Sequence, residues 1–237
     1  MSLLSVVQDV CQVVGVERVP TVFGNISNQR TQQELLTHAN ECAQRLARDT
    51  HDWSALIKTA TVTGDGVAES FALPYDFLRL LLDSNVWTSR SSFIPLVYVN
   101  SYDEWLRRKA SGFWDSRGAY ILIGGRIYIN PILAAGATAT FAYLSNQIIN
   151  VAATGLTDTQ FTADDDTCRL DERLLKLMLI WVWKEAKGSP YAEAMGTYSD
   201  ALWSVAGRDQ PAPILIGGRP ISDAVISTSY PWPLPSP

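Results

Sequence analysis

The spacing of apolar residues changes twice along this chain, and the two changes constrain the fold more than any single motif. In the first fifty positions apolar residues recur three and four apart; from about Ser54 to Ser145 they alternate; after Phe161 the helical spacing returns. The order is therefore helices, then a β-rich block, then helices.

Leu3, Val6, Val7, Val10, Val13 and Val14 form the stripe of a first helix, which Gly15 is placed to end. Beyond a loop containing Pro20 and Gly24, Leu35, Leu36, Ala39, Cys42, Ala43 and Leu46 predict a second helix from Gln29 to about Thr50. The run LIKTATVTG, with a turn at Gly64 to Gly66, opens the strand block, and strand-like runs follow at Ser70 to Leu73, Arg79 to Thr88, Phe93 to Val97 and Thr138 to Ser145. ILIGGRIYIN, from Ile121, reads as two strands joined by a Gly-Gly turn. One helical island interrupts the block: Ser101 and Glu104 fit a capping box, with Trp105, Leu106 and Ala110 on the expected buried face.

After Phe161, Leu170, Leu174, Leu177, Met178 and Trp181 predict one long helix to about Lys187, with Gly188 and Pro190 as its stop. A last helix from about Tyr191 to Val205 is expected to bury Ala194, Tyr198, Ala201, Leu202 and Val205 and to end at Gly207. An isolated amphipathic pair has too little to bury, so the two terminal pairs are expected to pack on each other. The expected fold is α+β: a four-helix bundle formed by residues 1–56 and 160–210, an inserted β-rich domain over 57–159, and an extended Pro-rich arm over 211–237, ending PWPLPSP.

Composition limits the chemistry. With 237 residues, 47% of them hydrophobic, the chain can bury a substantial core. A net charge of −5 argues against a surface that grips DNA phosphates, which requires clustered Lys and Arg. Cys11, Cys42 and Cys168 are widely spaced without C-x-x-C pairing and read as buried free thiols of a reducing compartment. The first residues carry Asp9 and no basic segment, so no signal peptide is expected; no apolar run approaches the roughly 20 residues that span a bilayer, so a soluble chain without membrane contact is expected.

The densest acidic stretch, TADDDTCRLDER, holds Asp164, Asp165, Asp166, Asp171 and Glu172. It lacks the spaced ligands and the glycine of a calcium loop, and Thr162 with Asp165 reads as the cap of the following helix. His38 and His51 have no ligand partner at helical spacing, and neither G-x-S-x-G nor G-x-x-x-x-G-K-[ST] occurs. Asp76, Asp83, Asp103, Glu104 and Asp115 lie among Trp87, Trp105 and Trp114, the residue types of a glycoside hydrolase cleft. Such an enzyme needs two carboxylates at a set separation, which the sequence does not provide, and core or interface tryptophans account for these residues more simply. No catalytic, cofactor or metal residue is assigned.

The order of parts resembles bacteriophage head-to-tail adaptor (connector) proteins. The residues that carry the resemblance are the opening LLSVVQDVCQVVG helix, the second helix ending in Asp52 and Trp53, and the turn of Leu73, Pro74, Asp76 and Phe77. FTADDDTCRLDERLLKLMLIWVWKEAKG and YAEAMGTY complete the set, and the resemblance covers about residues 1–210. It implies a virion protein without enzymatic activity or cofactor, assembled in the host cytoplasm and located at the head-tail junction. There it would form a dodecameric ring of identical subunits under the portal protein, extend the channel through which genomic DNA passes, and meet a downstream tail or stopper protein. A tail-tube or stopper component, or a cell-wall glycoside hydrolase, is the alternative.

ILIGGR occurs twice, at Ile121 to Arg126 and at Ile214 to Arg219 in the arm. A short β-prone segment can add to an exposed sheet edge; chance reuse of a turn-friendly string is the competing explanation. The arm residues expected to dock on a partner are Ile214, Leu215, Ile216, Arg219, Tyr230, Trp232 and Leu234.

Overall fold

The computed structural model describes residues 2–24, 29–82, 84–90, 94–112, 117–209, 215–216 and 219–220. Helix α1 spans Leu3–Val14, capped by the Ser2 side chain and ended by Gly15 at φ 72°; α2 spans Gln29–Arg48. The β-rich part follows as β1 (Ile57–Thr63), β2 (Ser70–Ala72), β3 (Phe77–Leu80), β4 (Trp87–Thr88) and β5 (Val97–Tyr98). After α3 (Tyr102–Ser111) come β6 (Ala119–Ile123), β7 (Arg126–Asn130), β8 (Thr138–Ser145), β9 (Ile149–Asn150), β10 (Thr157–Asp158) and β11 (Thr167–Cys168). Helices α4 (Glu172–Ala186) and α5 (Ala192–Asp209) complete the body, and the arm contributes β12 (Leu215–Ile216) and β13 (Arg219–Pro220).

Two four-stranded sheets form the β body. In one, β8 lies between β1 on one side and β3 and β4 on the other; the second has the order β2-β7-β6-β5, and β10-β9-β11 make a small third sheet. The two larger sheets face each other across Tyr120, Ile127, Ile129, Phe141 and Tyr143. Strand alternation then sends Ala119 and Ile121 to the opposite face of the second sheet, where Trp105 of α3 covers them. Ser101 accepts from the Glu104 N–H as the cap of α3, as its sequence predicts. The buried face is narrower than expected, because only Trp105 is enclosed while Leu106 and Ala110 are exposed.

The four-helix bundle does not form, which corrects the expected fold: among the described residues there are five helices and eleven strands in three sheets, besides the short arm ladder. The physical reason lies in α4. It buries Leu174, Leu175, Met178, Leu179, Ile180, Val182 and Trp183, which cover more than one stripe of a helix. Helices α1, α2 and α5 each pack on this hub. Leu144 at the end of β8, with Ile148, Ile149 and Phe161, enters the same core, so the helices are built onto the sheet.

Smaller differences share one cause, partners distant in sequence. The run from Arg79 to Thr88 is divided between β3 and β4, which pair with separate parts of β8. Helix α4 starts at Glu172 with Asp171 as its cap, nine residues beyond the expected cap, Thr162. Gly207 lies inside α5, whose last residue is Asp209. No described helix is long and apolar enough to cross a membrane.

Candidate functional site

The charged groups singled out in the sequence are anchors within the fold. In the acidic stretch the fully buried Asp166 carboxylate accepts from the N–H groups of Ala152, Thr162 and Ala163, at 3.0, 2.6 and 2.8 Å, and from the Thr162 hydroxyl at 2.9 Å. Burial works to raise its pKa, but these hydrogen bonds outweigh burial and hold the carboxyl below its ordinary value. Asp164 accepts from the Thr21 hydroxyl and from Val22 N at 2.8 Å. The carbonyls of Asp166 and Asp164 accept from Leu3 N at 2.8 Å and Leu4 N at 3.1 Å, satisfying donors at the start of α1. Asp164 and Asp166 therefore hold the start of α1, while Asp171, later in the same stretch, caps α4 in place of Thr162 with Asp165.

The residues of the supposed carboxylate cleft serve different elements. Asp76, 3% exposed, lies 2.6 Å from Lys58 Nζ and accepts from Tyr143 Oη at 2.9 Å and Ser145 Oγ at 2.8 Å, which joins β1, β3 and β8. Burial again works against ionisation, and Lys58, Ser145 and Tyr143 together hold the carboxyl below its usual range; Tyr143 is pushed up to about 12 by burial and by that carboxylate. Glu104 pairs with Arg108 along α3. Asp83, Trp114 and Asp115 lie outside the described residues. Among the described residues no cluster of His, Cys, Asp or Glu is placed to hold a metal ion. All three cysteines are buried free thiols.

Two surface features remain. Near the end of α2 an open cavity of about 710 Å³ is lined by His51, Asp52, Arg79, Leu82 and Asp209. Leu82 is 83% exposed, and Trp203 of α5, on an adjoining cavity, is 79% exposed. His51 Nε2 lies 3.3 Å from Asp209 Oδ2 without the alignment of a hydrogen bond, while Ser54 donates to Asp209 from both its N–H and its hydroxyl. The periodicity of α5 gave no sign of Trp203, because an exposed aromatic lies off the buried stripe.

The second feature is the arm. Its strands pair antiparallel, Leu215 with Pro220 and Ile216 with Arg219. In the body, Ile123 pairs with Arg126 and Leu122 with Ile127 around Gly124 and Gly125, at φ 56° and 73°. The two ILIGGR copies thus close in the same register, with the residue before Gly-Gly opposite the arginine after it. Leu215, Ile216 and Arg219 lie in this ladder; Ile214, Tyr230, Trp232 and Leu234 fall outside the described residues.

Among the described residues these carboxylates hold loops and sheets, and the thiols are enclosed. The sequence matches the SU10 adaptor protein family over residues 1–212, and the chain belongs to that family of bacteriophage structural adaptors. No curated protein matches it.

Proposed function

We propose that the protein assembles as a ring of twelve identical subunits beneath the portal, extends the DNA channel and presents the surface on which the tail docks. The observation that carries this reading is the family match, which takes in the whole folded body and stops at residue 212, where the arm begins. The body, in this reading, comprises a helical unit of residues 1–56 and 160–210 and a β unit of 57–159; the arm, 211–237, docks on a neighbouring subunit or on the portal through Ile214, Leu215, Ile216, Arg219, Tyr230, Trp232 and Leu234. Exposed Leu82 and Trp203 supply apolar surface of the kind that subunit or tail contacts cover. Genomic DNA passes without being gripped, in keeping with the net charge of −5. The protein resides at the head-tail junction of a virion assembled in the host cytoplasm, and it turns over no substrate.

Native mass spectrometry of the chain, alone and mixed with the portal ring of the same virus, tests the reading. A ring-sized complex with the portal is the expected result. A chain that ignores the portal and binds a tail-tube or stopper ring instead would move it one position down the virion.

A further inference from the structure

Most sheet edges in this molecule are short: β2 has three residues, β5 two and β3 four. Strand β1 has seven, and none of them is fully buried. It pairs with β8 in continuous register from Ile57 opposite Leu144 to Thr63 opposite Thr138, without a bulge. Among the described residues no strand pairs with its other side. The devices that ordinarily protect such an edge are proline, a bulge or an outward charge. β1 has no proline, and its one charge, Lys58, is engaged by Asp76.

The phase of the ladder shows which groups are unpaired. Gly64 N donates to Ala137 O at 2.7 Å, and Ser89 N donates to Thr138 O at 2.9 Å from the far side of β8. Bonded and non-bonded pairs alternate in an antiparallel ladder. Lys58, Ala60 and Val62 therefore turn their backbone groups to β8, while Thr59, Thr61 and Thr63 turn theirs outward.

The arm supplies a matching strand. From Gln210 to Ile216 it carries no charge, and it holds the same ILI string that forms a strand in β6. Its root is tied beside the acceptor, since Ser54, three residues before β1, donates twice to Asp209. Within one chain, however, β12 pairs with β13 and not with β1. Donor and acceptor are both present and do not meet, which points to a contact between chains.

We propose that the open edge of β1 accepts residues 214–216 of a second copy's arm as an added strand. The inference rests on the ring reading and gives it a head-to-tail contact, the kind that closes a ring when the rotation between subunits allows. Tyr230, Trp232 and Leu234, farther along the arm, remain available for the portal.

The test uses the full chain with the portal ring. Thr61→Cys and Leu215→Cys are placed on separate chains, which are mixed, assembled and treated with a short bis-maleimide. The native thiols are a silent background: burial pushes Cys42 up to about 12 and Cys168 up to about 11, and Cys11 is raised by the same cause. A cross-linked dimer containing one chain of each kind is expected. An assembled ring without it, or a link found only inside single chains carrying both changes, overturns the proposal. Thr61→Pro removes one outward N–H, a change that edge strands tolerate, and is expected to lower the assembled fraction about tenfold, the ratio that one lost contact gives. Leu215→Pro reads the same contact from the arm, should Thr61→Pro disturb the body. Rings at the wild-type level with both variants overturn the edge contact and leave the adaptor reading standing. A wild-type chain that forms no ring even with the portal overturns both.

Discussion

ILIGGR at Ile121 and ILIGGR at Ile214 pair in the same register, yet among the described residues only the first has further strands beside it. The body copy has β5 and β2 as neighbours beyond its own two strands, and Trp105 packs over Ile121. Among the described residues the arm copy pairs two residues with two. A six-residue string is enough to specify a turn and a register, because Gly-Gly supplies the positive φ of a two-residue hairpin. Whether that hairpin is stable depends on what lies beside it.

The largest expected effect breaks this comparison at the buried isoleucine of the body copy. Ile121→Ala should cost about 2–5 kcal/mol in denaturant unfolding, whereas Leu215→Ala should change the free chain by less than about 0.5 kcal/mol. Equal losses would mean that the arm is part of the folded body.

Acid probes the same contrast through the anchors of the body. Asp76 and Asp166 have folded pKa values below their unfolded ones. The stability they contribute is fully present above the unfolded carboxylate value, near 4, and is lost as pH falls through the depressed folded values. Thermal melts should show Tm falling between about pH 5 and pH 2, and Asp76→Asn should flatten that fall while costing about 1–3 kcal/mol at pH 7. A variant with the wild-type pH profile would show that the Lys58, Tyr143 and Ser145 contacts contribute nothing.

A smaller effect separates the two turns. Gly124→Ala meets no atom within 4 Å, so its cost is that of a side chain at φ 56°, about 1–2 kcal/mol in unfolding. Gly217→Ala should leave the Tm of the free chain unchanged. Smallest of all is removal of residues 210–237, which should alter the Tm of the isolated chain by no more than about 2 °C while abolishing assembly with the portal.

What could be read in advance was local. Gly15 after an apolar stripe, Ser101 three residues before Glu104, and Gly124-Gly125 between two apolar runs each carry their outcome within a few positions, and the structure follows them. The fold class is not legible in LLKLMLIWVW, because its apolar run fits one stripe of a bundle helix and equally a helix enclosed on several sides. Asp164 and Asp166 resist reading for a different reason. Their chemistry was visible, but Asp164 binds Thr21 and Val22, more than 140 residues earlier, and no pattern within the stretch encodes that partner. Proline-rich composition marks the arm in the sequence, while the side of β1 left unpaired among the described residues is visible only from its phase against β8.

The position of α4 bears on how the chain is made. During synthesis α1 and α2 leave the ribosome with apolar faces directed at a helix that begins more than a hundred residues later. At about 5–20 residues per second, they wait on the order of ten seconds. The β body between them holds its own core and can close in that interval. Until α4 arrives, the two N-terminal helices are exposed hydrophobic segments on a nascent chain, open to chaperones and to other nascent copies of the same protein.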